Sequence, residues 1–102
     1  MGKFVKVALK KDVPEGGALT VTANGKTLAL FCVEGQFFCI DNNCTHASGP
    51  LAEGSLEGTT VTCPWHGATF DVTTGKVLGA PAFDDVGNYP VQVEGEEIKI
   101  EI

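Results

Sequence analysis

Two short segments carry both histidines of the chain: Cys44-Thr45-His46 and, after a gap of 16 residues, Cys63-Pro64-Trp65-His66-Gly67. Each histidine lies within three residues of a cysteine, in a stretch bounded by turn residues. The pattern is C-x-H, a long gap, then C-x-x-H. Each segment therefore offers one thiolate and one imidazole. A fold that uses this pattern holds two loops together on a rigid frame, the usual arrangement for loop-borne sites.

The rest of the chain has the character of such a frame. Its hydrophobic pattern has a period of two, or forms short apolar runs between turn signals, and helical periodicity is hard to find. Phe4-Val5-Lys6-Val7-Ala8-Leu9 predicts a first strand, and Pro14-Glu15-Gly16-Gly17 a loop. Residues 18–23 and 26–30 flank Asn24-Gly25, the strongest short hairpin signal. Residues 31–33 and 37–40 flank Glu34-Gly35-Gln36, and residues 68–71 and 76–78 flank Thr73-Thr74-Gly75. The β-branched stretch 59–62 leads into Cys63, and residues 89–93 and 98–102 form a last hairpin around Glu94-Gly95-Glu96-Glu97. The fold class expected is all-β, a small sandwich or barrel. With 102 residues the chain is one domain, 1–102. Residues 41–80, richer in Cys, His, Gly and polar side chains, are expected to be a loop-built site inserted into the β base.

Charge narrows the function classes. Thirteen Asp and Glu stand against seven Lys, with no Arg, for a net charge of −6. Nucleic-acid binding needs cationic side chains for the phosphates, so an acidic chain without Arg is a poor candidate. A basic protein partner suits it better. No apolar run approaches the length of a membrane span, and no signal-peptide or myristoylation pattern opens the chain. The location expected is the cytoplasm, where four Cys read as metal ligands or buried thiols before disulfides.

Two chemistries fit two Cys and two His. One is a tetrahedral zinc site. The other is a [2Fe–2S] cluster in which one iron takes Cys44 and Cys63 and the other takes His46 and His66. Zinc motifs usually open with a close Cys pair and end with a His pair, whereas here each loop mixes the two types. Mixed loops suit a two-iron cluster clamped between them.

At these residues the chain resembles the Rieske-type iron–sulfur proteins. The likeness extends upstream through Gly35-Gln36-Phe37-Phe38-Cys39-Ile40-Asp41-Asn42 and downstream through Gly75-Lys76-Val77-Leu78-Gly79-Ala80-Pro81-Ala82, similar to the family's proline-containing loop over the cluster. It implies a Rieske-type β fold with a cluster-binding subdomain, a Rieske [2Fe–2S] cofactor, and Cys44, His46, Cys63 and His66 as its ligands. It also implies a one-electron carrier without catalysis of its own. Such a carrier is a monomer that takes electrons from a flavoprotein reductase and gives them to a terminal oxygenase or similar redox enzyme. A Rieske oxygenase needs two further His for its second iron, and the chain has none to spare. No G-x-G-x-x-G follows a strand, so a nucleotide domain is absent from the sequence. A redox subunit tightly bound to a larger oxidoreductase is the alternative, with a zinc-stabilised binding module behind it.

The resemblance also carries a departure. Where high-potential members have a disulfide between the two loops, the matching positions are Gly49 and Trp65; where they have hydroxyl donors to the sulfurs, the positions are Ala68 and Phe70. Replacing two thiolates by neutral imidazoles makes the oxidised core neutral and raises its potential above that of an all-Cys cluster. Losing the donors then lowers it within the Rieske range.

Several residues have blander alternatives. Cys32 and Cys39 flank a hairpin and could pair, but buried small residues on strands are the simpler expectation. Asn43-Cys44-Thr45 matches a glycosylation sequon, which a metal-ligating Cys44 overrules. Gly25-Lys26-Thr27 resembles the end of a P-loop, but Thr20 stands at the first glycine position. Trp65 either packs under the cluster loop or, with Leu51 and Pro81, forms an exposed apolar contact. Gly67 would let backbone approach the cluster. Asp84-Asp85 and residues 94–97 are expected to be solvated loop charges.

A redox titration of the loaded protein should give a midpoint at the low end of the Rieske range, about −150 mV. The midpoint should fall in strong alkali, where the bound imidazoles of the oxidised state lose protons. A clearly positive midpoint contradicts the missing-donor argument.

Overall fold

A computed structural model describes residues 3–43, 50–65, 67–80 and 84–102. Eleven antiparallel strands form three sheets. The central sheet contains β2 (Ala18–Ala23), β3 (Lys26–Val33), β4 (Gln36–Asp41) and β9 (Asn88–Tyr89), in that order. An outer sheet has the order β1 (Phe4–Leu9), β11 (Glu97–Glu101), β10 (Val91–Glu94). The third contains β5 (Ser55–Glu57), β6 (Thr60–Thr62), β7 (Thr69–Asp71) and β8 (Val77–Gly79) in sequence order. Among the described residues the only helical pieces are the 3-10 turns Lys10–Asp12 and Leu51–Glu53, and no helix is long and apolar enough to cross a membrane.

Strand β3 explains the layering. Its last six residues, 28–33, are all buried. Ala29, Phe31 and Val33 point to one core, which also contains Ile40, Leu51, Val61, Ala68, Phe70, Val72 and Val86. Leu28, Leu30 and Cys32 point to the other, with Ala8, Val13, Val21, Cys39, Ile98 and Ile100. Alternate side chains of a strand face opposite ways, so a continuous apolar run marks a strand covered on both sides. The central sheet is the wall shared by two cores. Burying each large side chain there contributes on the order of 1.5–3 kcal/mol.

Both predicted central hairpins form. The β2–β3 turn is Asn24-Gly25, with φ of 52° and 79°, the two positive angles of a type I′ turn. The β3–β4 turn is shorter than the three residues expected: Val33 pairs with Gln36, leaving Glu34 and Gly35 at φ of 50° and 79°. Positive φ is unusual for Glu. Glu15 offsets it, because its two carboxylate oxygens accept the N–H groups of Glu34 and Gly35, at 2.6 and 2.9 Å. Cys32 and Cys39 are unbridged and buried, as expected, and they are not cross-strand partners, since Leu30 faces Cys39 and Cys32 faces Phe37.

The predicted strand over 89–93 divides in two. Pro90 has no N–H to give a ladder, and there the chain leaves the central sheet for the outer one. Its carbonyl still accepts the N–H of Glu101 at 3.0 Å. The last turn also tightens, with Glu94 opposite Glu97. Strand β5 has no sequence forecast; it is short and mostly polar, and it pairs with β6 around Gly58-Thr59.

The Glu15 staple has a pH signature. The two backbone N–H groups hold its carboxyl below its ordinary value of 4.5. A depressed folded value means that the staple contributes fully above the ordinary carboxylate range and is lost as pH falls through the folded value. Glu15→Gln places an amide N–H₂ against a backbone N–H. It should lower the thermal midpoint at neutral pH, with the gap to the parent closing in acid; melts at pH 7 and pH 3 check this.

Candidate metal centre

Both histidine-bearing segments hang from closed necks. The first spans 44–49, and its neck is the isolated bridge between Asn43 and Pro50. Asn42 locks that neck: its carbonyl accepts the N–H of Leu51 at 2.7 Å, and its side-chain Oδ1 accepts the N–H of Ala52 at 2.9 Å. Its own N–H donates to the Thr27 carbonyl at 3.2 Å, tying the neck to the central sheet. Asn42 is the only buried polar residue among the described ones. Nothing in its residue type announced this, because a polar residue after a strand ordinarily reads as loop.

The second segment is the β6–β7 loop. Cys63 follows β6 directly, and its N–H donates to the Ala68 carbonyl at 2.7 Å, closing a four-residue loop, 64–67. The Cys63 side chain is buried, and the N–H of Trp65 donates to its Sγ at 3.4 Å. A buried sulfur that accepts a backbone N–H is suited to carry negative charge as a metal-bound thiolate. Cys63 thus suits an iron of the cluster chemically. Cys44, His46 and His66 lie outside the described residues, as do Gly49 and Pro81.

Ala68 and Phe70, the two positions without a hydroxyl, are fully buried beside this loop. Gly67 has φ +79°, so the turn itself requires glycine there, whatever else approaches it. Trp65 is 50% exposed, which favours a contact role over packing under the loop. Leu51 overturns its part of that expectation: it is 0% exposed and belongs to the core beneath the first neck. A leucine just after a loop is apolar enough to serve either purpose, and the 3-10 turn directs it inward. Asp85 also differs from a merely solvated charge, since its Oδ1 accepts the N–H of Val77 at 2.9 Å.

The electrostatics are lopsided. Residues 41–87 hold six carboxylates and a single lysine, Lys76, while the rest of the chain holds seven carboxylates and six lysines. The net negative charge therefore lies almost wholly on the part that bears the two loops. A site there favours cationic neighbours and disfavours added electrons, by an amount that salt reduces.

Asn42→Ala leaves the Ala52 N–H without its partner in a part-buried neck. Urea denaturation should show a loss of about 1–3 kcal/mol. A loss within 0.5 kcal/mol, about the scatter of surface substitutions, would show that the clasp is dispensable.

The comparisons with known proteins agree with this geometry. The model of the Rieske [2Fe-2S] domain family matches residues 3–90. The ferredoxin component of the naphthalene 1,2-dioxygenase system from Pseudomonas aeruginosa is 41% identical over 100 residues, covering 98% of this chain and 96% of that protein. The 3-phenylpropionate/cinnamic acid dioxygenase ferredoxin subunit of Shigella flexneri is 46% identical over 92 residues, covering 89% and 86%. Among solved structures, a chain in the complex of reduced oxygenase and oxidized ferredoxin in carbazole 1,9a-dioxygenase superposes with a TM-score of 0.90 at 32% identity, over 96% of this chain and 92% of that one. The chain belongs to the Rieske [2Fe-2S] domain family, within which it is a ferredoxin, a cluster-bearing electron-transfer protein and not a catalyst.

Proposed function

We propose that Cys44 and Cys63 hold one iron of the cluster and His46 and His66 the other, so that the two loops close over it from both sides. The observation that carries this is Cys63: buried at the mouth of a hydrogen-bonded loop, with a backbone N–H on its sulfur. The cluster, when bound, takes up and releases one electron at a time. The chain's own part is to fix the loops through the Asn43–Pro50 and Cys63–Ala68 necks, to keep water from the sulfur side with Leu51, Ala68 and Phe70, and to present Trp65 outward. Residues 41–80 serve as the cluster-carrying unit of a single domain, 1–102.

The electrons come from a flavoprotein reductase and pass to a terminal oxygenase. Relatives named as dioxygenase ferredoxin components support this, as does the likeness to a ferredoxin–oxygenase complex. The excess of carboxylates on residues 41–87 supports docking of that end to basic surfaces. The carrier works as a monomer in the cytoplasm, a location that suits the unbridged Cys32 and Cys39.

Electron paramagnetic resonance of the dithionite-reduced protein tests the ligand set, alongside iron, zinc and sulfide analysis. A mixed Cys/His cluster gives a brown-red protein, two iron and two sulfide per chain, and a lower average g than an all-Cys cluster. His46→Cys or His66→Cys should raise that average or abolish the signal. A colourless protein with one zinc and no sulfide overturns the assignment.

A further inference from the structure

Asp41 ends β4, three residues before Cys44. Its N–H donates to the Gly87 carbonyl at 2.9 Å, and its Oδ2 accepts the Gly87 N–H at 2.9 Å, so the two residues close a ring. Its Oδ1 accepts the Tyr89 hydroxyl at 2.7 Å. Lys26 completes the group, donating from Nζ to the Tyr89 oxygen at 3.4 Å, with the ammonium 5.6 Å from the ring centroid. The fit at Gly87 is tight: a Cβ there would lie 2.9 Å from Asp41 Oδ2 and 3.3 Å from the Tyr89 oxygen.

The segment that Asp41 holds is pinned on its other side as well. The Val86 N–H donates to the Gly75 carbonyl at 2.8 Å, and Asp85 accepts from Val77 at 2.9 Å. Asp41 thus braces the stem of the first histidine-bearing segment to a strip of chain that is itself fastened to the sheet of the second. The path along the chain is also short. Three Cα–Cα steps of 3.8 Å place Asp41 and Cys44 no more than about 11 Å apart, near one screening length in ordinary buffer. Burial, the hydrogen bond to Asp41 and the carboxylate's charge push the Tyr89 hydroxyl above its ordinary range.

We propose that Asp41 is a positioning residue for the cluster: it braces the first ligand segment through Gly87 and Tyr89, and its fixed negative charge lowers the potential for electron uptake, with Lys26 opposing it. This rests on the cluster lying between the two loops. The effect would add to the loss of hydroxyl donors at Ala68 and Phe70.

The test is a spectroscopic redox titration of the cluster-loaded protein at low and high salt. Asp41→Asn keeps the shape and an acceptor but removes the charge, so its midpoint should move upward. Lys26→Met removes the opposing charge from an exposed hairpin position, so its midpoint should move downward. Both shifts should shrink in high salt. Tyr89→Phe keeps the carboxylate and both Gly87 bonds, so it should melt at lower temperature with a midpoint near the parent's. Unmoved midpoints in Asp41→Asn and Lys26→Met, or shifts of the same sign in both, overturn the proposal. If Asp41→Asn does not fold, the sign of the Lys26→Met shift decides. A parent protein that takes up no electron sinks the ligand assignment and this inference together, whereas a working couple with unmoved midpoints sinks the inference alone.

Discussion

Both cysteine- and histidine-bearing segments of this protein depend on being closed at their necks. Fixing the backbone of a loop of six residues and a loop of four costs conformational entropy. The Asn43–Pro50 bridge, the two bonds of Asn42 and the Cys63–Ala68 bond offset that cost. The strands behind them supply stiffness.

The two necks are fastened to different sheets, which raises the problem of keeping them in step. The core beneath them solves much of it. Leu51 from the first neck and Val61, Ala68 and Phe70 around the second share one apolar cluster with Phe31 and Ile40 of the central wall. Interiors of this density tolerate little sliding. The polar ties through Asp41, Gly87, Val86 and Asp85 act along the other side of the same junction.

How much of this was legible follows from the kind of signal each part carries. Hairpins write themselves into residue types, so Asn24-Gly25 and the alternation around it were readable, whereas the single strand β3 was expected as two pieces, 26–30 and 31–33. The C-x-H and C-x-x-H pattern stands out for the same reason, since only Cys and His offer those donors and their spacing is local; the ligand roles themselves are the assignment proposed above. The neck clasp was not readable, because Asn42 has the same residue type whether it is solvated or holds a loop shut. Leu51 was misplaced because its surroundings come from residues far along the chain. Strand β5 is too short and too polar for periodicity to register, and the break at Pro90 needed knowledge of two sheets at once.

The connectivity of the central wall has a consequence for how the molecule assembles. Strands β2, β3 and β4 are joined by two-residue turns, so they can zip together at little loop-closure cost. Strand β1 must wait for β11, its partner from the opposite terminus. Nascent chain leaving the ribosome would thus have its middle layer before its outer one is possible. The first neck is attached to that early layer through Thr27, which lets the stem of the first cysteine- and histidine-bearing segment take shape while the rest of the polypeptide is still being made.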